Sequence, residues 1–283
     1  MFIFYVLGAV ILLVGLGMFA RHTAQGRSTP LLILPSDYGL AAEDVFFQAE
    51  DGVRLEGWFI PCFGADKTIV LCHGFDMNKG DILQRTHFLA VKYNLFYFDF
   101  RGAGNSSGRS AIGLDESRDL RAAVAYLKEK YPAQCREIAL YGLCMGAAMA
   151  SYYTATCGGV KCLLLESAYY SFKNVVKRWA WRHVRVPYFP LVSSFLFVQE
   201  KKRGKKVESF ALKETASKIT CPVLIIQGER DRLAPVKKAR KIYNALQGPK
   251  ELWVVPDSGH TSCAKAGGKA YQDKIQSFFE QNF

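Results

Sequence analysis

The stretch EIALYGLCMGAAMA, residues 137–150, constrains the fold more than any other part of this chain. An apolar run through Ile138, Ala139, Leu140 and Tyr141 drives into Gly-x-Cys-x-Gly at Gly142, Cys144 and Gly146. Small residues of helix-forming character follow at once. The segment predicts a strand over 136–141, a tight turn, and a helix over 145–156. Other apolar runs end in the same abrupt way: TIVLCHG, LFYFDFRGAGNSSG, KCLLLE, CPVLIIQGERD and ELWVVPDSGH. Between them lie helical spacings, over 114–130 through Leu120, Val124 and Leu127, around 235–247, and near 264–281. Apolar strands alternating with helices argue a mostly parallel sheet in an α/β domain, flanked by helices. In such sheets functional groups gather outside the carboxyl ends of the strands. The loops after LCHG, YGLCMG, QGERD and VVPDSGH are therefore expected to meet in one crevice.

At the front of the domain, VFFQAEDGVRLEGWFIP reads as a hairpin around Asp51-Gly52. Residues 167–218 break the alternation of strand and helix. They hold Trp179, Trp181, Tyr188, Phe189, the run LVSSFLFV and the basic run KKRGKK at 201–206. This segment reads as a cap inserted over the crevice. The expected organisation is an N-terminal anchor and flank over 1–26 and one domain over 27–283, with the cap inside it.

The anchor rests on MFIFYVLGAVILLVGLGMFA, residues 1–20, which carry no charged side chain. That is close to the roughly 20 apolar residues that span a bilayer. A cleavable signal would place positive charge before the run and a small residue near its end, but Met18 stands there. An uncleaved single-pass transmembrane helix fits better than a cleaved signal or a buried core helix. Arg21 and Arg27 follow the run, and the positive-inside rule puts the main domain on the cytoplasmic side. A net charge of +12 suits an anionic membrane surface. The run 201–206 is a solvated loop by default and a second membrane contact if the cap lies on the bilayer. Nucleic acid is a poor alternative, since the basic residues are spread along the chain without a recognition motif. The eight cysteines contain no Cys-x-x-Cys pair and no zinc-like Cys/His spacing, so no metal and no cofactor are expected. Cys72, Cys162 and Cys221 lie in or beside apolar runs and read as small buried hydrophobes.

Five segments together carry a resemblance. LCHGFDMNKGD, FDFRGAGNSSG, YGLCMGA, QGERDRLAP and DSGH, each at a strand end and in this order, resemble the α/β-hydrolase superfamily over about residues 45–281. The resemblance makes Gly-x-Cys-x-Gly a nucleophile elbow, whose glycines are required because helix and strand approach too closely for side chains. The family's order of nucleophile, acid and histidine falls on Cys144, Asp231 and His260. Cys144 would attack, with the positive end of the following helix favouring its thiolate. His260 would act as general base and then acid, and Asp231 would fix its tautomer. The resemblance assigns the oxyanion hole to the backbone N–H groups of Phe75 and Met145, each donor typically worth about 3–4 kcal/mol in the transition state. Each residue also has a plain structural reading: Cys144 as a buried cysteine, His260 as a surface histidine, Asp231 as a loop cap. Glu166 is the reserve acid. His73 is expected to position the oxyanion loop, and Asp99 and Arg101 to pair and brace the glycine-rich loop.

Most of this superfamily uses serine at the elbow. Cysteine there resembles dienelactone hydrolases and also polyester synthases, while the anchor and basic cap look more like membrane-anchored lipase, esterase or thioesterase relatives. The expected function is a hydrolase of acyl esters or thioesters, acting through an acyl-enzyme on small apolar or lipid-like substrates near a membrane. Two alternatives stay open: an acyltransferase using the same cysteine, and a non-catalytic protein that binds a lipid or partner on a hydrolase scaffold.

Overall fold

The computed structural model describes residues 30–283, together with Gly17. Apart from Gly17, the apolar run 1–20 lies outside the described residues, and among these no helix is long and apolar enough to cross a membrane. Among the described residues eight strands form one sheet: β1 Glu43–Gln48, β2 Arg54–Ile60, β3 Lys67–Cys72, β4 Asn94–Phe98, β5 Glu137–Leu143, β6 Leu163–Glu166, β7 Val223–Gly228 and β8 Lys250–Val255. Their spatial order is β1-β2-β4-β3-β5-β6-β7-β8. The pairings β1/β2 and β2/β4 are antiparallel, and β4, β3, β5, β6, β7 and β8 run parallel. The β1–β2 hairpin closes where expected, with Ala49 N–H donating to Val53 O at 2.9 Å.

The main helices among the described residues are α1 Lys79–Thr86, α2 Glu116–Lys130, α3 Met145–Cys157, α4 Phe172–Trp179, α5 Ser193–Arg203, α6 Val236–Ala245 and α7 Cys263–Asn282, the last kinked at Gly268. Side chains alternate across the central strands, so each strand feeds two cores. Val70, Cys72, Phe96, Phe98, Ile138 and Leu140 face α2, α3 and α6. Ile69, Leu71, Leu95, Tyr97, Ala139 and Tyr141 face α1 and α7. This two-sided burial is why these strands read as unbroken apolar runs rather than as alternating ones.

Helix boundaries shift for local reasons. The helix expected from residue 114 begins at Glu116, whose carboxylate is buried and turned back on the preceding loop. It accepts from Ser110 Oγ at 2.6 Å, Ala111 N at 2.9 Å and Gly113 N at 2.9 Å. The segment between β6 and β7 is mostly helical, with α4, α5 and the π-helical turns Ala180–Val184 and Tyr188–Val192 joined by short non-helical stretches such as 185–187 and 204–206.

Asp99 and Arg101 do not pair with each other. Asp99, just past β4, binds Lys79 at the start of α1, with Nζ to Oδ2 at 2.7 Å and the Lys79 N–H to Oδ1 at 2.7 Å. Arg101 turns to Asp119 of α2 and to Asp51 of the hairpin turn, at 2.6 and 2.8 Å. Two residues apart along the chain, each meets a nearer opposite charge from another element. Lys79 is fully buried, also bonds Glu56 at 2.9 Å, and lies 4.8 Å from the centre of the Trp58 ring. Removing one member of a buried pair strands the other charge and typically costs about 3–5 kcal/mol. Lys79→Met is therefore expected to lower unfolding stability by about 3–5 kcal/mol in urea titration. A loss below about 1 kcal/mol would mean the pair is solvated in solution.

Candidate active site

The carboxyl ends of β3, β5, β7 and β8 meet at one cavity of about 550 Å³, whose lining includes Phe75, Cys144, Met145 and His260. Cys144 occupies the turn between β5 and α3 with φ 52° and ψ −106°. Positive φ is costly for a residue with a Cβ, of order 1–3 kcal/mol, and persists only where the surroundings enforce it. Here the enforcement is visible. A Cβ on Gly146 would lie 2.1 Å from the Cys72 carbonyl oxygen, and one on Gly142 2.5 Å from the Gly146 carbonyl oxygen. The Cys144 N–H donates to Glu166 O at 2.9 Å, which ties the turn to the end of β6.

His260, in the loop after β8, bridges two of the residues named from sequence. Its Nε2 lies 3.2 Å from Cys144 Sγ, and its Nδ1 lies 2.7 Å from Asp231 Oδ2. Asp231 is buried in the loop after β7. Its Oδ1 accepts from the N–H groups of Leu233 and Ala234, both at 2.8 Å. Its Oδ2 also accepts from Gln227 Nε2 at 2.8 Å, and that amide is anchored in turn on Ala234 O at 2.7 Å. Gln227 was not singled out from sequence. The available signal was its place as a polar residue at the end of an apolar strand.

Burial opposes charge on His260, but negative charge on the Cys144 sulfur and the Asp231 carboxylate outweighs it and lifts the imidazole to about 10. The ring thus holds its proton more tightly than an ordinary histidine.

Met145 opens α3, so its N–H belongs to the first turn, which has no helical carbonyl to bond. Phe75 follows Gly74 in the loop after β3 and stands edge-on to Trp179, with ring centres 5.9 Å apart. His73 supports this loop from below: its Nδ1 meets Gly74 O at 2.7 Å, and its Nε2 accepts the Phe100 N–H at 3.0 Å. Burial pushes His73 below the usual histidine value, which suits a neutral ring in that bracing role. Glu166 touches this arrangement only through its backbone carbonyl. Its side chain points to the opposite core and accepts from Tyr141 and Tyr271, the latter at 2.8 Å. Tyr169 lines the cavity, and its buried hydroxyl has no hydrogen-bond partner among the described residues. All eight cysteines are free thiols, and no cluster of metal-ligand type occurs among the described residues.

Comparison with known proteins agrees with this architecture. Residues 64–203 match the family model described as serine aminopeptidase, S33, and residues 203–282 match the one described as TAP-like protein. The chain is 27% identical over 248 residues to the uncharacterized protein YfhR of Escherichia coli O157:H7, covering 84% of this chain and 80% of that one. It is 25% identical over 272 residues to the α/β hydrolase domain-containing protein WAV2 of Arabidopsis thaliana, covering 90% and 84%. Among solved structures, the Pyrococcus furiosus esterase Pf2001 superposes with a TM-score of 0.74 at 26% identity, over 88% of this chain and 94% of that one.

The His260 proton gives a direct check on the geometry. The stabilisation it brings is complete below the ordinary histidine value of 6.5 and is lost as pH rises through about 10. Imidazole NMR is expected to find His260 protonated at about pH 8. Cys144→Ala and Asp231→Asn should each lower its midpoint, because each removes a negative neighbour. An unchanged midpoint in both variants would contradict the arrangement.

Proposed function

The chain belongs to the α/β-hydrolase superfamily, and on that premise we propose that it is an acyl ester or thioester hydrolase with Cys144 as nucleophile. The observation that carries the reading is the continuous line from Asp231 through His260 to Cys144, with contacts of 2.7 and 3.2 Å. Cys144 Sγ attacks the substrate carbonyl carbon, forming a C–S bond, while the carbonyl oxygen takes up negative charge near the Phe75 and Met145 N–H groups. The leaving oxygen or sulfur departs with the proton from His260 Nε2. Water then gives a proton to the same nitrogen and attacks the acyl carbon, and the Cys144 sulfur leaves. Asp231 holds the ring in the tautomer both transfers need.

The lifted imidazole suits the step in which His260 protonates the leaving group. A sulfur nucleophile needs little help to attack and more help in expelling that group. The matched model is named for serine enzymes, and a cysteine here favours thioesters and activated esters. Apolar walls from Phe172, Val176 and Leu233 support an apolar acyl group.

A position near a membrane is part of the same proposal. Trp181, Phe189 and Phe197 on the inserted segment are 56%, 80% and 56% exposed, on the same segment as the basic run 201–206. Within that run Arg203 is bound to Asp115 at 2.8 Å, while Lys201 and Lys202 are exposed. Exposed aromatics flanked by lysines suit an anionic interface.

Cys144→Ala should lower turnover of an activated acyl thioester by about 1000-fold or more while leaving unfolding stability near that of the parent. Steady-state kinetics beside urea unfolding reads both. Turnover within about tenfold of wild type in a folded variant would refute the nucleophile.

A further inference from the structure

We propose that the Cys144 cavity takes an acyl donor whose leaving part carries a negative charge, recognised by Arg182 and Arg232 at the cavity mouth. The inference rests on the acyl-hydrolase reading and adds the class of leaving group.

The cations reach the mouth from unrelated elements. Arg182 sits in the π-helical turn Ala180–Val184, and Arg232 lies in the loop after β7, next to Asp231. Both are exposed, and both line the cavity that contains Cys144. Neither meets a carboxylate among the described residues. The neighbouring arginines are already engaged: Arg230 binds Asp257, and Arg178 donates to Leu233 O at 3.0 Å. Asp76 is the one acidic residue on the lining, against Arg182, Arg230 and Arg232. The mouth therefore carries an excess of positive charge, which a low-dielectric wall behind it focuses.

The lining has an apolar part and a cationic part, and the proposal gives them to the two sides of the scissile bond. The acyl carbon must sit at Cys144 Sγ, and the apolar chain has Phe172, Val176 and Leu233 to cover it. Within that wall the Tyr169 hydroxyl is a neutral donor, since burial pushes it well above the usual tyrosine value. The remaining part, on the far side of the scissile bond, is left to the exposed cationic lining. A planar guanidinium there suits a carboxylate or a phosphate.

The test uses three phenyl octanoates that differ only in the ring substituent: a neutral amide, a carboxylate or a phosphate. Wild type is expected to show a KM at least about tenfold lower for an anionic ester than for the amide, the size of one charge-assisted hydrogen bond. The ratio should fall towards one in Arg182→Gln/Arg232→Gln and shrink at about 0.5 M salt. Whichever anion gives the lower KM identifies the group. Equal KM values in wild type, or a preference retained by the double variant, would overturn the inference while amide turnover leaves the hydrolase reading standing. If none of the three turns over, the hydrolase reading fails. Equilibrium binding of the same esters to Cys144→Ala then decides the charge preference, tenfold tighter anion binding supporting it and equal binding ending it.

Discussion

The turn that carries Cys144 depends on backbone pressed against backbone. Gly146 sits where a Cβ would be 2.1 Å from the Cys72 carbonyl oxygen, so α3 starts in contact with the end of β3. This approach holds Cys144 at positive φ, sets its sulfur above the sheet and leaves the first-turn N–H groups of α3 facing the loop after β3. The strain is small beside what the fold supplies. β5, which leads into the turn, has Ile138 to Leu143 buried and pairs with β3 on one side and β6 on the other. Shifting the turn would require those registers to slip, which would carry each strand's side chains to the wrong face.

Around this turn, buried charges hold the loops that would receive a substrate. Lys79 and Asp99 lock the start of α1 to the end of β4, immediately beyond the Phe75 loop. Arg101 ties the next loop to α2 and the hairpin turn. Gln227 fixes the Asp231 carboxylate, whose remaining acceptor capacity goes to two backbone N–H groups and His260. These networks are worth more as positioning than as net stability, because much of their attraction offsets desolvation. Rigid supporting hydrogen bonds of this kind keep reacting atoms aligned.

The central strands β3 to β7 were legible because both their faces are buried, and the cost of burying polar groups there leaves runs such as LFYF and LLL. The hairpin was legible from Asp51-Gly52, and helix ends only to within a few residues, because Glu116 and Pro235 act through caps and loops rather than through apolar spacing. The three residues now found side by side lie 87 and 29 residues apart in the chain, as 231 − 144 and 260 − 231 give. Nothing in their local sequence measures that closeness; the glycine-bearing strand ends and the resemblance suggested it. The Asp99–Arg101 pair was misread because sequence nearness does not reveal competing partners from α1 and α2. Lys79 and Gln227 were not seen at all. A lone lysine or glutamine has no pattern, and only the fold brings opposite charge or a carboxylate to it.

With Cys144 as nucleophile, turnover passes through a covalent acyl-cysteine. Rapid-quench intact mass, taken within a second of mixing the full chain with an activated acyl thioester, tests it most directly. One acyl-sized mass gain is expected, located by peptide mapping on Cys144 and not on the other free cysteines. Product formation with no adduct at any quench time, or an adduct confined to another cysteine, would contradict it.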